Sequence, residues 1–168
     1  MYYGMIIGCF VVFPIISIIV AHARERHRGE TPDLWELILR WFTFWIVGVR
    51  LFIAGVSQAV RPEFTAETIF DTTDPAVLPF ISELGFANIA MGLVGLLSIK
   101  LRSWTPPAAL LGAVFLGLDG IRHVADGGAF TADRAMAAGS DLVALVILGG
   151  GLIAYCLRSR GEKVTGSV

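Results

Sequence analysis

The sequence predicts an all-α integral membrane bundle of five transmembrane helices, with the N-terminus outside and the C-terminus in the cytoplasm. Three observations predict it. Apolar residues make up 55% of the chain and the mean hydropathy is +0.73, well above the composition of ordinary soluble domains. The apolar residues fall into runs of about twenty, enough to cross about 30 Å of hydrocarbon at about 1.5 Å per helical residue. The basic residues collect beside alternate ends of those runs, as cytoplasmic loops do. With 168 residues the chain makes one domain, 1–168, with helices over 4–22, 34–60, 79–99, 106–124 and 134–157.

The first helix ends at Ala21-His22-Ala23, which imitates a signal-peptide cleavage site. No Lys or Arg precedes the apolar run, whereas Arg24, Arg26 and Arg28 follow it, so the bias holds its C-terminal end in the cytoplasm and argues for a retained helix. Pro14 is expected to kink it at mid-membrane. The second helix starts at Asp33, with Glu36 as capping-box partner. It carries Arg50 near the bilayer centre, where a cation costs about 2.5–3.5 kcal/mol on insertion scales and must face the bundle interior.

Arg61 to Leu78 reads as an outer loop with a short helix around 65–70, and Asp74-Pro75 can open the third helix. That helix, PFISELGFANIAMGLVGLLSI over 79–99, places Glu83 and Asn88 in a glycine-rich apolar setting and stops at Lys100 and Arg102. The fourth begins at Thr105-Pro106-Pro107 and presents Ala109, Ala113 and Gly117 at four-residue spacing, a packing seam. It ends in Asp119-Gly120-Ile121-Arg122-His123, and Asp126-Gly127-Gly128 is expected to turn the chain. The fifth carries Asp141 early and Gly149-Gly150-Gly151 later, then exits at Arg158, Arg160 and Lys163 into a short polar tail. Arg24, Arg26, Arg28, Arg40, Lys100, Arg102, Arg158, Arg160 and Lys163 then lie inside, against Arg61, Arg122 and Arg134 outside.

On this topology Arg50, Glu83, Asn88, Asp119, His123 and Asp141 are the candidate ligand-binding residues, joined by Ser57 and Gln58 in the outer half of the membrane. Asp119 and His123 are four apart and share a helical face. Glu83 and Asn88 are about 140° apart round their helix. Acids at one depth repel, so Arg50 or Arg122 is expected to neutralise one of them, with Glu83 the foremost partner for Arg50. Such a cluster suits an outward-facing pocket for a small polar ligand or cation, or else a network that only fixes helix register. Asp119, His123 and Glu83 are metal ligands in type, but no short ligand motif supports a metal, and none is assigned.

No catalytic residue and no cofactor is identified: the chain has no phosphate loop, nucleophile elbow or paired-histidine haem pattern. Cys9 and Cys156 lie about 15 Å apart in depth, too far for a disulfide. No basic tract with interleaved aromatics points to nucleic acid. The expected partners are membrane lipid and a protein partner or second copy on the small-residue faces.

The run PFISELGFANIAMGLVGLLS at 79–98 resembles a family of small bacterial polytopic inner-membrane proteins known as a domain of unknown function, and GAVFLGLDGIRH at 112–123 and GSDLVALVIL at 139–148 are similar to its following segments. The resemblance covers the C-terminal half and implies a multi-pass protein of the bacterial inner membrane. Arg50-Leu-Phe-Ile-Ala-Gly55 followed by a helix with an early acid, Glu83, is similar to DoxX-type membrane proteins, which implies a redox role. The residues thus favour a non-enzymatic binding or accessory subunit. A small proton-coupled transporter and a quinone-linked redox protein are the alternatives.

Overall fold

The computed structural model describes residues 2–125 and 131–165, with the side chains of residues 2, 133, 134 and 160–165 left aside. Five helices are long and apolar enough to cross a membrane: Tyr3–His27, Leu34–Val60, Pro75–Leu97, Arg102–Ala125 and Ala135–Ser159. They are called the first to fifth helices below. No strand occurs among the described residues. The Asp126-Gly127-Gly128 turn lies outside them.

Two helices change their winding along their length. In the first, a π-helical stretch, Gly8–Val12, precedes Phe13–His27, and the Phe13 amide donates to the Gly8 carbonyl. Pro14 follows at the start of the next α-segment. Proline has no amide hydrogen and clashes with the carbonyl four residues back, so a wider turn just upstream accommodates it. The second helix is α-helical over Leu34–Phe42, π-helical over Thr43–Arg50 and α-helical over Leu51–Val60. The Thr43 hydroxyl donates to the Leu39 carbonyl at 2.6 Å at the start of the π-stretch. Asp33 caps this helix by accepting from the amides of Trp35 and Glu36.

The loop helix is Pro62–Thr68, earlier than expected, because Pro62 is suited to a first helical turn. Asp74 accepts from the Ala76 amide and opens Pro75–Val77, a 3₁₀ turn continuous with the α-helix Leu78–Leu97. The last helix runs Ala132–Thr165, so the expected polar tail from Arg158 onward is largely helical.

The second helix is the hub, with its first segment packed on the first and fifth helices and its π-stretch on the first, third and fourth. The closest pairs are second with third and fourth with fifth. Gly85, Gly92 and Gly95 press against the second helix: a methyl at Gly92 would sit 2.6 Å from the Phe52 amide nitrogen, and one at Gly85 would sit 2.7 Å from that of Ala59. Ala109, Ala113 and Gly117 are buried, as their spacing predicts, and Gly117 lies beneath the Leu145 side chain. The core combines Ile46, Val47, Leu51, Leu116 and Leu148 with small residues such as Ala108, Ala109 and Ala144. Ile16, Ile19, Leu93, Val114, Leu118, Val146 and Ile153 instead point outward from the long helices. Small residues inside and large aliphatics outside suit lipid as the surrounding medium.

Ion pairs tie one end of the bundle together. Glu25 pairs with Arg40 at 3.3 Å and Arg102 at 4.0 Å, Arg102 with Glu36 at 3.7 Å, and Arg158 with Asp33 at 3.4 Å. These contacts bring the ends of the first and fifth helices beside the starts of the second and fourth, and the short link 98–101 places the end of the third there too. The antiparallel order read from the charges therefore holds, and the bundle has a basic end and an opposite, acidic one.

Candidate functional site

The site is built on the fourth and fifth helices toward the acidic end, with Arg50 reaching it from the second. Gly120 makes the approach possible, because a Cβ there would stand 3.1 Å from Asp141 Cβ and 3.1 Å from the Leu142 amide nitrogen. The same helical turn carries Asp119 and, one turn on, His123. Imidazole and carboxylate are 3.7 Å apart, the Asp119 side chain 45% exposed and that of His123 10%.

Arg50 Nη2 donates to Asp141 Oδ1 at 2.5 Å and lies 3.4 Å from the Ser140 hydroxyl. Both members of the pair are buried, with side-chain exposures of 9% and 2%. The guanidinium carbon also stands 5.6 Å from the centre of the Phe10 ring, a cation–π distance. Arg50 Nη1 is buried with no hydrogen-bond partner among the described residues. One ligand atom from each of Asp119, His123 and Asp141 lies within 4.8 Å of the others. Two carboxylates, an imidazole and a guanidinium from three helices thus share one small volume.

Four of the six candidate residues meet there: Arg50, Asp119, His123 and Asp141. Asn88 is buried but belongs to the interface between the second and third helices, where its amide donates to Gln58 Oε1 at 2.7 Å. Glu83 is exposed. Gly85, two residues on and about 200° round the helix, faces the second helix, so Glu83 is turned away from that interface. The expectation that Glu83 would be the counter-charge of Arg50 is corrected: that role falls to Asp141. Arg122, the other expected counter-cation, is exposed.

Sequence reasoning missed Ser140 and Phe10 as neighbours of Arg50. Ser140 adjoins a flagged acid and could have been included on that ground, whereas Phe10 is an apolar residue in an apolar run and carried no signal. A cleft of about 190 Å³ opens at the basic end, between Glu36, Arg102, Thr105 and Tyr155, away from the polar cluster. Cys9 is buried and Cys156 exposed, both as free thiols.

A family model described as "Family of unknown function (DUF6790)" matches residues 5–160. No curated protein and no solved structure matches the chain. The resemblance read from the C-terminal half is therefore established over nearly the whole chain. The likeness to DoxX-type proteins gains no support.

Proposed function

Because the chain belongs to the DUF6790 family of unknown function, we propose from its own residues that it is a multi-pass inner-membrane binding protein taking a small charged ligand at the Arg50, Asp119, His123 and Asp141 cluster. The positive-inside rule turns the basic end to the cytoplasm and this cluster outward. The carrying observation is the buried Arg50–Asp141 pair beside Asp119 and His123 on the adjoining helix. Pure helix glue needs one matched pair. Here a second acid and an imidazole stand at the same place, and one guanidinium nitrogen is unpartnered among the described residues.

The test is a melting-temperature screen of the protein in mild detergent against phosphate, acetate, Na⁺, Mg²⁺, Ca²⁺, Mn²⁺ and Zn²⁺. At least one probe is expected to raise the wild-type melting temperature and to lose that effect in His123→Gln and Asp119→Asn. A wild type indifferent to every probe makes the cluster structural only and overturns the reading.

A second reading, proton-coupled transport, is favoured by the graded exposure from Asp119 at 45% through His123 at 10% to Asp141 at 2%. Such a gradient suits proton exchange between solvent and a buried carboxylate. In liposomes holding a pH-sensitive dye, the stabilising probe should move protons with the wild type and not with His123→Gln. Wild-type liposomes without proton movement remove the carrier reading.

A further inference from the structure

The binding reading leaves the ligand's chemistry open, and the atoms around Gly120 narrow it. Asp119 and His123 stand one turn apart on the fourth helix, and Asp141 faces them from the fifth, their ligand atoms within 4.8 Å of one another. In a tetrahedral site with metal–oxygen and metal–nitrogen bonds of about 2.0–2.2 Å, neighbouring ligand atoms are about 3.4 Å apart. The 3.7 Å between His123 and Asp119 is already close to that. Asp119 is the half-exposed member, so a modest side-chain rotation can bring it nearer Asp141.

We propose that Asp119, His123 and Asp141 form a binding site for a divalent transition-metal ion such as Zn²⁺, with Arg50 holding Asp141 in place. This rests on the binding reading above and specifies its ligand.

Three features of the cluster favour this ion class. First, two carboxylates with one imidazole form a mixed donor set; imidazole favours zinc and its neighbours, whereas Mg²⁺ and Ca²⁺ prefer oxygen alone. Second, Asp141 has two carboxylate oxygens, and Arg50 takes Oδ1. That hydrogen bond fixes the carboxylate's orientation, the usual outer support of a metal ligand. Third, the charges leave a task for Arg50 Nη1. Two ionised acids and one guanidinium give the cluster one net negative charge, and a divalent ion reverses it to one positive. Three protein ligands leave a coordination position open, which an anion or hydroxide can occupy. Arg50 Nη1, buried beside Asp141 and unpartnered among the described residues, is a donor suited to such an anion.

The experiment is equilibrium dialysis of the chelator-treated full chain in detergent against Zn²⁺, with Co²⁺ as a spectroscopic substitute. The wild type and the loop variant Glu63→Gln, whose residue is exposed outside the cluster, should bind one ion per chain and give visible Co²⁺ bands. His123→Gln and Asp119→Asn should each weaken binding about tenfold or more. Their metal-free melting temperatures, compared with wild type, separate lost ligands from lost fold. Absence of Zn²⁺ binding, or equal binding by wild type and folded His123→Gln, overturns the metal site. If Zn²⁺ fails while phosphate, acetate or Na⁺ still stabilises the wild type through the same residues, only the metal falls; if every probe fails, the binding reading falls with it.

Discussion

Arg50 and Asp141 are the two charges that the bundle has least freedom to leave alone. Arg50 sits about ten residues from the end of its helix, roughly 15 Å of helical rise, and neither side chain has solvent to screen it. Removing one member of a buried pair strands the other, at a typical cost of about 3–5 kcal/mol, whereas replacing both with apolar residues of similar volume is often nearly neutral. Asp141→Asn and Arg50→Met are therefore each expected to lower stability by about that amount, and Arg50→Met with Asp141→Leu to recover most of it. Thermal unfolding of all four proteins in one detergent checks this; an unaffected Asp141→Asn protein would show that the pair carries no stability. The choice of Asp141 over Glu83 was not legible from depth, because both acids fall toward the same end of the bundle. What separates them is direction round the helix axis. Gly85 and Gly92 turn one face of the third helix to the second, and Glu83 lies off that face.

At the scale of the helix, glycine position matters more than glycine number. Gly92 faces Phe52 backbone at 2.6 Å from a hypothetical methyl, while Gly149 has no atom within 4 Å of one. Gly92→Ala must push two backbones apart and should cost about 1–3 kcal/mol. Gly149→Ala meets nothing and should leave stability unchanged or raise it by up to about 1 kcal/mol through helix propensity. Unfolding midpoints of the two variants test the contrast, and equal effects would remove the seam as the determinant. The sequence shows which helices are glycine-rich, and for Ala109, Ala113 and Gly117 the four-residue spacing was enough to identify a buried face. The two π-stretches were not legible. A Pro14 kink was foreseeable, but a wider turn over Gly8–Val12 ahead of it depends on how Phe13 packs over Gly8, 2.7 Å from a hypothetical methyl there. The π-stretch ending at Arg50 has a sharper consequence. One extra residue in a turn rotates everything beyond it by about 100°, so the direction of Arg50 cannot be projected from Asp33 with a uniform 3.6-residue period.

For the whole molecule, the ion pairs of Glu25, Arg40, Arg102 and Arg158 fix which helix ends lie together. They do not by themselves say which end faces the cytoplasm, since an inverted bundle would keep every one of them. The proposed orientation rests on a separate physical effect, the retention of Lys and Arg in short cytoplasmic loops. On that proposal the acidic loop holding Glu63, Glu67, Asp71 and Asp74 lies outside, and the turn near Ser103 inside. In a chain lacking Cys9 and Cys156 through serine replacements, a membrane-impermeant maleimide applied to intact cells should label Thr73→Cys and leave Ser103→Cys unlabelled until the membrane is opened. Both positions are exposed, so burial does not decide the result. The reverse pattern would turn the polar cluster toward the cytoplasm. The helix packing, the Arg50–Asp141 pair and the proposed metal ligands would survive such an inversion, but the ion would then be drawn from the cytoplasm. The labelling pattern therefore decides which compartment the site samples, independently of whether it binds.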